Sequence, residues 1–320
     1  MIIEKVMEHL KYLFWRIQIG LLCACPPLCG IVSRSSLGAA NSSKLWLKTL
    51  LRLAVQTPCA LFQHWRNIRK KHVALSRVSI LVTTCCTLQC DNCAAHIPDL
   101  KNHRDFPSSS LIRDVHALFA CVDHVYATIL SGGEAFLHPD LDEIVRACAD
   151  SGKAGDISIQ TNGTILPDAK TLVALREANV TVKISHYAPS LQPDVEKLKH
   201  LLEENRIHYT HDSATFWRDT GKFGELQKGS EKRRFSVCAM QLCMVYLYGK
   251  LHLCGESAFL LEEGLIPDCK EDYIDIRAIT SSEFSGQWRK LLKKRSVTAC
   301  SYCLGNTYKT PKIPVAVQRG

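Results

Sequence analysis

The chain has 320 residues, of which 46% are hydrophobic and 22% charged, with 16 cysteines and a formal net charge of +9. That apolar content excludes a disordered or collagen-like chain and is enough for one domain of about 200–250 residues with a smaller partner. The cysteines are too dilute for a small disulfide scaffold and too many to be incidental, so their spacing has to be read.

Charge is uneven. Residues 1–77 carry 12 Lys and Arg against only Glu4 and Glu8, whereas 28 Lys and Arg face 29 Asp and Glu in residues 78–320. Ile3, Val6, Leu10, Leu13, Phe14 and Ile17 recur at helical intervals opposite Lys5, Glu8, His9 and Lys11, which predicts an amphipathic helix. The apolar run 17–32 is short and contains Pro26 and Pro27, so it is a poor membrane span. A second helix is expected from the Asn41-Ser42-Ser43 cap to before Pro58, followed by a basic linker with Arg66, Arg69, Lys70 and Lys71. Residues 1–77 therefore read as a basic helical leader, either packed on the body or attached peripherally to an anionic membrane surface. No zinc-finger, RRM or helix-turn-helix signature accompanies the charge, so nucleic acid is not an expected partner. Cys23, Cys25 and Cys29 read as buried apolar residues.

The body, 78–230, alternates strand and helix. Strands are predicted at 78–82, 125–130, 156–160 and 180–184, and helices at 111–120, 141–149, 169–178 and 195–203. Such repeating βα units predict an α/β fold with a parallel sheet, and every polar motif falls at the carboxyl end of a strand, where such folds place their active sites. After the first strand comes Cys86-x3-Cys90-x2-Cys93. Three thiolates at this spacing can cap three irons of a [4Fe–4S] cube and leave the fourth open to a chelating ligand, whereas a pure electron carrier closes all four corners. A zinc site or a ferredoxin-like fragment is the alternative for the cysteines taken alone. The second strand ends in Gly132-Gly133-Glu134, where two glycines let the backbone approach a ligand, and carbonyls with the Glu134 carboxylate would accept from a protonated amine. The third ends in Thr161-Asn162-Gly163 and the fourth in Ser185-His186-Tyr187.

These motifs, in this order, resemble the radical S-adenosylmethionine (radical SAM) superfamily over about residues 78–215. The resemblance implies a partial (β/α)6 TIM-like barrel in which the open iron binds the amine and carboxylate of SAM, and one electron cleaves the sulfonium to a 5′-deoxyadenosyl radical that abstracts hydrogen from a substrate. It implies Cys86, Cys90 and Cys93 as cluster ligands, Gly132, Gly133 and Glu134 as amine holders, and Asn162 and Ser185 as further SAM-side positions. Two positions depart from the family pattern: the residue before the third cysteine, usually aromatic, is Asn92, and the turn that commonly ends in proline ends in Ala135.

Residues 231–320 hold a second cysteine set. Cys238 and Cys254 flank a predicted hairpin at Tyr248-Gly249-Lys250, and Cys300-x2-Cys303 follows a predicted helix at 285–294. Four thiols can close a zinc ion or an iron–sulfur cube. The segment resembles the SPASM and Twitch auxiliary-cluster extensions, and more the shorter Twitch form, since no cysteine follows Cys303. This implies an auxiliary [4Fe–4S] cluster on Cys238, Cys254, Cys300 and Cys303, with Cys243 as an alternative to Cys238. A fully ligated cluster suits an electron acceptor, as in oxidation of a secondary alcohol. His186, His211 and Tyr187 are the candidate catalytic residues, and His96, Asp212, Trp217, Arg218, Asp219 and Glu256 are further substrate-side groups.

The polar, histidine-rich 208–224 loop suits a sugar, an aminocyclitol or a lipid-linked headgroup. Peptide maturation is the rival reading, and its frequent winged-helix leader-binding module is not expected in a helical 1–77. A non-catalytic metal-binding scaffold docked at a membrane is the third reading. Oxygen-labile clusters place the body in a reducing cytosol, with a one-electron donor such as flavodoxin or ferredoxin as partner.

Overall fold

The computed structural model describes residues 72–212 and 216–319, together with positions 12, 13, 16, 25–27, 65 and 67–70. Both helices expected in the leader lie largely outside the described residues. Among the described residues no helix is long and apolar enough to cross a membrane.

The chain enters the fold through β1 (Ala74–Leu75) and β2 (Val78–Thr83) and then alternates α1 (Ser108–Cys121), β3 (His124–Gly132), α2 (Leu141–Asp150), β4 (Ala154–Thr161), α3 (Ala169–Glu177), β5 (Thr181–Ser185), α4 (Val195–Glu204) and β6 (Tyr209–Asp212). Each expected strand and helix of the body is present, with ends displaced by a few residues. α1 starts at Ser108, directly behind Pro107, and buries Leu111, Val115, Leu118 and Phe119 along one stripe. α3 starts where the Asp168 carboxylate accepts the Thr171 N–H at 2.9 Å.

The second half adds β7 (Trp217–Arg218), α5 (Glu231–Phe235), β8 (Met244–Leu247), β9 (Lys250–His252), α6 (Gly255–Glu262), β10 (Tyr273–Asp275), α7 (Ser281–Leu292) and β11 (Lys312–Ile313). The hairpin expected at 248–250 is β8–β9, turning through Tyr248 (φ 50°) and Gly249 (φ 80°). The segment read from sequence as a separate C-terminal unit feeds this hairpin into the main sheet. Strand order is β10-β9-β8-β2-β3-β4-β5-β6, with β8 parallel to β2 and Ile80 opposite Tyr246. The result is an α/β fold around an open sheet whose β8 and β2–β6 run parallel, in keeping with a partial barrel.

Register separates the two faces. Val78, Ile80, Thr128, Leu130, Ile157, Ile159, Val182, Ile184, Tyr209 and His211 alternate onto one face, which the helices cover: the Tyr246 hydroxyl donates to the Asp114 carbonyl of α1 at 3.3 Å and the Tyr209 hydroxyl to Glu203 of α4 at 2.6 Å. The opposite face carries Ser79, Ser131, Ser158, Gln160, Lys183, Ser185 and Thr210. The helix-covered face is the apolar core, and the other face is mixed, with Leu81, Ile129 and Val245 beside these polar residues.

Ile80, with no exposed surface, packs at the centre of that core. Ile80→Ala should lower unfolding free energy in urea by about 2–5 kcal/mol, the usual cost of a cavity at a rigid position. Leu292→Ala, at a side chain 49% exposed, should change it by less than about 0.5 kcal/mol. Equal effects at both positions would contradict this placement of the core.

Candidate active site

Cys86, Cys90 and Cys93 lie in the loop that leaves β2 at its carboxyl end, and the glycine pair at the end of β3 is what lets that loop sit where it does. A Cβ on Gly132 would stand 2.2 Å from the Thr83 carbonyl oxygen, and one on Gly133 would stand 2.1 Å from the Cys85 oxygen and 2.8 Å from Cys86 Cβ. Only glycine fits this approach. The backbones are tied there: Gly133 N–H donates to the Thr83 oxygen at 3.1 Å and Glu134 N–H to the Cys85 oxygen at 2.8 Å.

The turn after β4 holds the loop from another side. Asn162 Nδ2 donates to Thr87 Oγ1 at 3.0 Å and to Cys86 Sγ at 3.6 Å, while Asn162 Oδ1 accepts from the Thr164 N–H and hydroxyl. Asn162 is thereby committed to positioning the cysteine loop. Gln192, which sequence reading missed, fixes the same turn by donating to the carbonyls of Asn162 and Ser185, and its Oε1 accepts the Tyr187 N–H at 2.8 Å. No local pattern distinguishes this glutamine from a surface residue.

The Glu134 side chain is fully buried, and its carboxylate accepts from Phe136 N–H at 3.0 Å, Asn162 N–H at 2.7 Å and the Thr161 hydroxyl at 2.9 and 3.0 Å. It is a brace joining the β3 and β4 turns. Burial pushes its pKa up to about 7, against the opposing pull of these donors.

Burial also raises all three thiols, Cys86 to about 11, and Cys86 further feels Glu134, Cys93 and Cys90. Three neighbouring thiols, each partly or fully withdrawn from solvent, resist ionising unless a cationic centre compensates, which is what a metal cluster provides. Donors are already aimed at the sulfurs: Leu88 N–H reaches Cys86 Sγ at 3.5 Å and Gln318 Nε2 reaches Cys90 Sγ at 3.1 Å. The residues present therefore fit an iron–sulfur group.

The structure separates the three expected catalytic residues. Tyr187 lies close enough to Cys90, Cys93 and Cys86 to feel each of them, and burial first, then those thiols, push its pKa up to about 12. A phenol with that pKa is a hydrogen-bond donor at neutral pH, not a base. His186 and His211 turn away from this group. His211 shares the helix-covered face with Tyr209, and His186 Nδ1 sits 3.1 Å from His211 Nε2. Ser185 lies on the mixed face and Asn92 is exposed with φ 54°, a left-handed backbone that asparagine tolerates better than a bulky aromatic. Trp217 meets Tyr187 edge to face with centroids 6.0 Å apart, Arg218 donates to the Thr310 carbonyl, and Asp219 accepts the Gly221 N–H. The Asp212 side chain lies outside the described residues.

Cys238, Cys254, Cys300 and Cys303 line a single apolar cavity together with Phe235, Leu253 and Glu256. Burial raises each thiol; the raised pKa of Cys254 is further increased by Cys300, Cys238 and Cys303. Cys243 neighbours Cys238 but does not line the cavity. Gly305 N–H donates to Cys303 Sγ at 3.1 Å and Asn306 N–H to Cys238 Sγ at 3.4 Å. Among the described residues no three His, Cys, Asp or Glu side chains converge on a single ion. The thiols surround a space instead of a point. His96 and Glu256, expected beside the substrate, connect the two sets: His96 N–H donates to the Cys93 carbonyl, its ring stacks on Phe223 at 4.3 Å, and its Nε2 lies 3.0 Å from Glu256 Oε1.

Two predictions follow from the brace and the glycines. Gly133→Ala should impair iron loading after anaerobic reconstitution several-fold, whereas Gly286→Ala, where a Cβ meets nothing within 4 Å, should load normally; equal loading would refute the close approach. Because Glu134 titrates near 7 when folded and near 4.5 when unfolded, the native state holds the extra proton between those values, so its contribution to stability falls as pH rises through that window. The difference in urea stability between the metal-free wild type and Glu134→Gln should shift by on the order of 3 kcal/mol from pH 4.5 to above 7, and a pH-independent difference would contradict the buried carboxyl.

No curated protein matches the chain. Among solved structures, SuiB of Streptococcus suis bound to S-adenosylmethionine aligns with a TM-score of 0.37 and 19% identity, over 47% of this chain and 37% of that one. The anSMEcpe enzyme with bound AdoMet aligns at 0.35 and 19%, over 42% of each chain. This chain thus spans well under half the length of either. BtrN in complex with AdoMet and 2-DOIA aligns at 0.48 and 16%, over 77% of this chain and 97% of that one. Residues 80–218, which contain the three-thiol loop, the glycine pair and the Asn162 turn, match the profile of the Radical SAM superfamily.

Proposed function

We propose that the chain is a radical SAM enzyme that abstracts hydrogen from a hydroxyl-rich small molecule, of sugar or aminocyclitol class, and oxidises it, with a second cluster receiving the surplus electron. The observation that carries this reading is the presence of two thiol sets of different valence: three cysteines on the β2 loop, which leave one corner of a cube open, and four around one cavity, which close it. When bound, cluster and SAM together supply one-electron cleavage of the sulfonium and a carbon radical able to take hydrogen.

This chain's own residues supply position. Cys86, Cys90 and Cys93 would hold the SAM-binding cluster, and Cys238, Cys254, Cys300 and Cys303 the auxiliary one. The carbonyls of Gly132 and Gly133 would accept from the SAM amine, with Glu134, Asn162 and Gln192 holding those turns in place. Tyr187, neutral beside the thiols, would donate a hydrogen bond on that side.

The substrate class follows from the uncovered face of the sheet. Ser158 Oγ and Thr210 Oγ1 are buried there without a hydrogen-bond partner, on the same face as Gln160, Lys183 and Ser185. Orphaned buried hydroxyls are costly, and a polyhydroxylated ligand satisfies them where an apolar one does not. A one-electron donor of the flavodoxin or ferredoxin class is the required partner in the cytoplasm, and the basic segment 1–77 is proposed as a peripheral membrane contact.

Anaerobic reconstitution should load about eight irons per chain, two cubes, and dithionite should drive SAM cleavage to 5′-deoxyadenosine. Cys90→Ala should abolish cleavage. Cys254→Ala should halve the iron and keep cleavage, and Cys243→Ala should keep both. Cleavage surviving in Cys90→Ala, or zinc in place of the second iron complement, would overturn the reading.

A further inference from the structure

The cysteine loop has a third support, from a segment far away in the chain. Residues 316–319 run antiparallel to it: Asp91 N–H donates to the Val317 carbonyl at 2.7 Å and Arg319 N–H to the Gln89 carbonyl at 2.8 Å, with Cys90 opposite Gln318. Ala316, buried and left-handed at φ 51°, turns the chain onto the loop. The Arg319 guanidinium then pairs with Asp91 at 3.0 Å and Asp99 at 2.8 Å, gripping both sides of Cys93.

Gln318 uses its amide in both directions. Its Oε1 accepts the Gln89 N–H at 2.9 Å, and its Nε2 donates to Cys90 Sγ at 3.1 Å and to the Ala316 carbonyl at 2.8 Å. Cys86 and Cys93 both receive hydrogen bonds from backbone groups of the loop itself. Cys90 takes its donor from a side chain 228 residues away. We infer that residues 316–319 clamp the Cys86–Cys93 loop and that Gln318 is a positioning residue whose amide, donating to the Cys90 sulfur, raises the reduction potential of the cluster held there. The inference rests on the three-thiol loop holding a cluster, as proposed above. Its physical basis is that a donor on a thiolate stabilises the added negative charge of the reduced state more than that of the oxidised state.

The test uses the full chain, anaerobically reconstituted with iron and sulfide, and a redox titration followed by electron paramagnetic resonance of the signal that changes when SAM is added. Gln318→Glu keeps the acceptor for Gln89 and replaces the donor by a carboxylate oxygen. Gln318→Leu removes both contacts without adding charge. Both variants should show a more negative midpoint than wild type, Gln318→Glu the more so, with iron content unchanged. Arg319→Ala leaves the amide in place and should speed iron loss to a chelator several-fold. A midpoint unmoved in both Gln318 variants overturns the tuning role, and unchanged iron-loss rates in Gln318→Leu and Arg319→Ala overturn the clamp. If wild type itself has no SAM-sensitive signal, the reading of the loop as a cluster site fails, and that result is distinct from either.

Discussion

The contact on which the rest depends is the approach of two backbones, 83–86 against 132–133, to a distance that excludes any Cβ. A parallel sheet normally keeps neighbouring strands about 4.8 Å apart, with side chains alternating above and below. Here the register between β2 and β3 shifts at Leu81 and Thr83, and the chain leaving β2 folds over the end of β3. The glycine pair therefore serves the cysteine loop first. One piece of geometry thus fixes both the cysteine loop and the turn after β3.

Around that contact the polar groups act as struts. Glu134 ties β3 to β4, Asn162 ties β4 to the loop, Gln192 ties β4 to β5, and Gln318 with Arg319 ties the loop to a distant segment. All but the exposed Arg319 are buried or half-buried, where a hydrogen bond is worth more and an unmet one costs more than in water. The thiols sit at the other extreme. Seven cysteines, in two groups, are raised by burial, and Cys86, Cys90, Cys254, Cys300 and Cys303 also by other thiols of their group. Thiols in such a setting ionise readily only beside a compensating cation.

What could be read in the sequence follows from the range of the forces involved. The parallel α/β order was legible because apolar period, caps and strand-end motifs are local, and the 86-90-93 pattern because its three cysteines lie on one loop. The bracing role of Glu134 was not legible, because a carboxylate after two glycines looks the same whether it points to ligand or core. Its partners, Thr161 and Asn162, come from the next strand, and only tertiary structure shows that they consume it. His186 and His211 were attractive for their chemistry and their position at strand ends. The face they occupy is fixed by register with β6, which spacing within the sequence does not encode. Gln192 and Gln318 carried no signal at all, since a glutamine in a loop is ordinary until its neighbours are known.

The sheet also fixes how the two thiol groups stand to each other. β8 pairs in parallel with β2, so the hairpin that delivers Cys254 is bonded to the strand that delivers Cys86. The placement of that hairpin is held by strand hydrogen bonds and by the packing of Tyr246 under α1. Nearby, the buried His96 ring stacks on Phe223 and lies within 3.0 Å of Glu256. Both ends of that contact lean on cysteines, His96 through the Cys93 carbonyl and Glu256 two residues beyond Cys254.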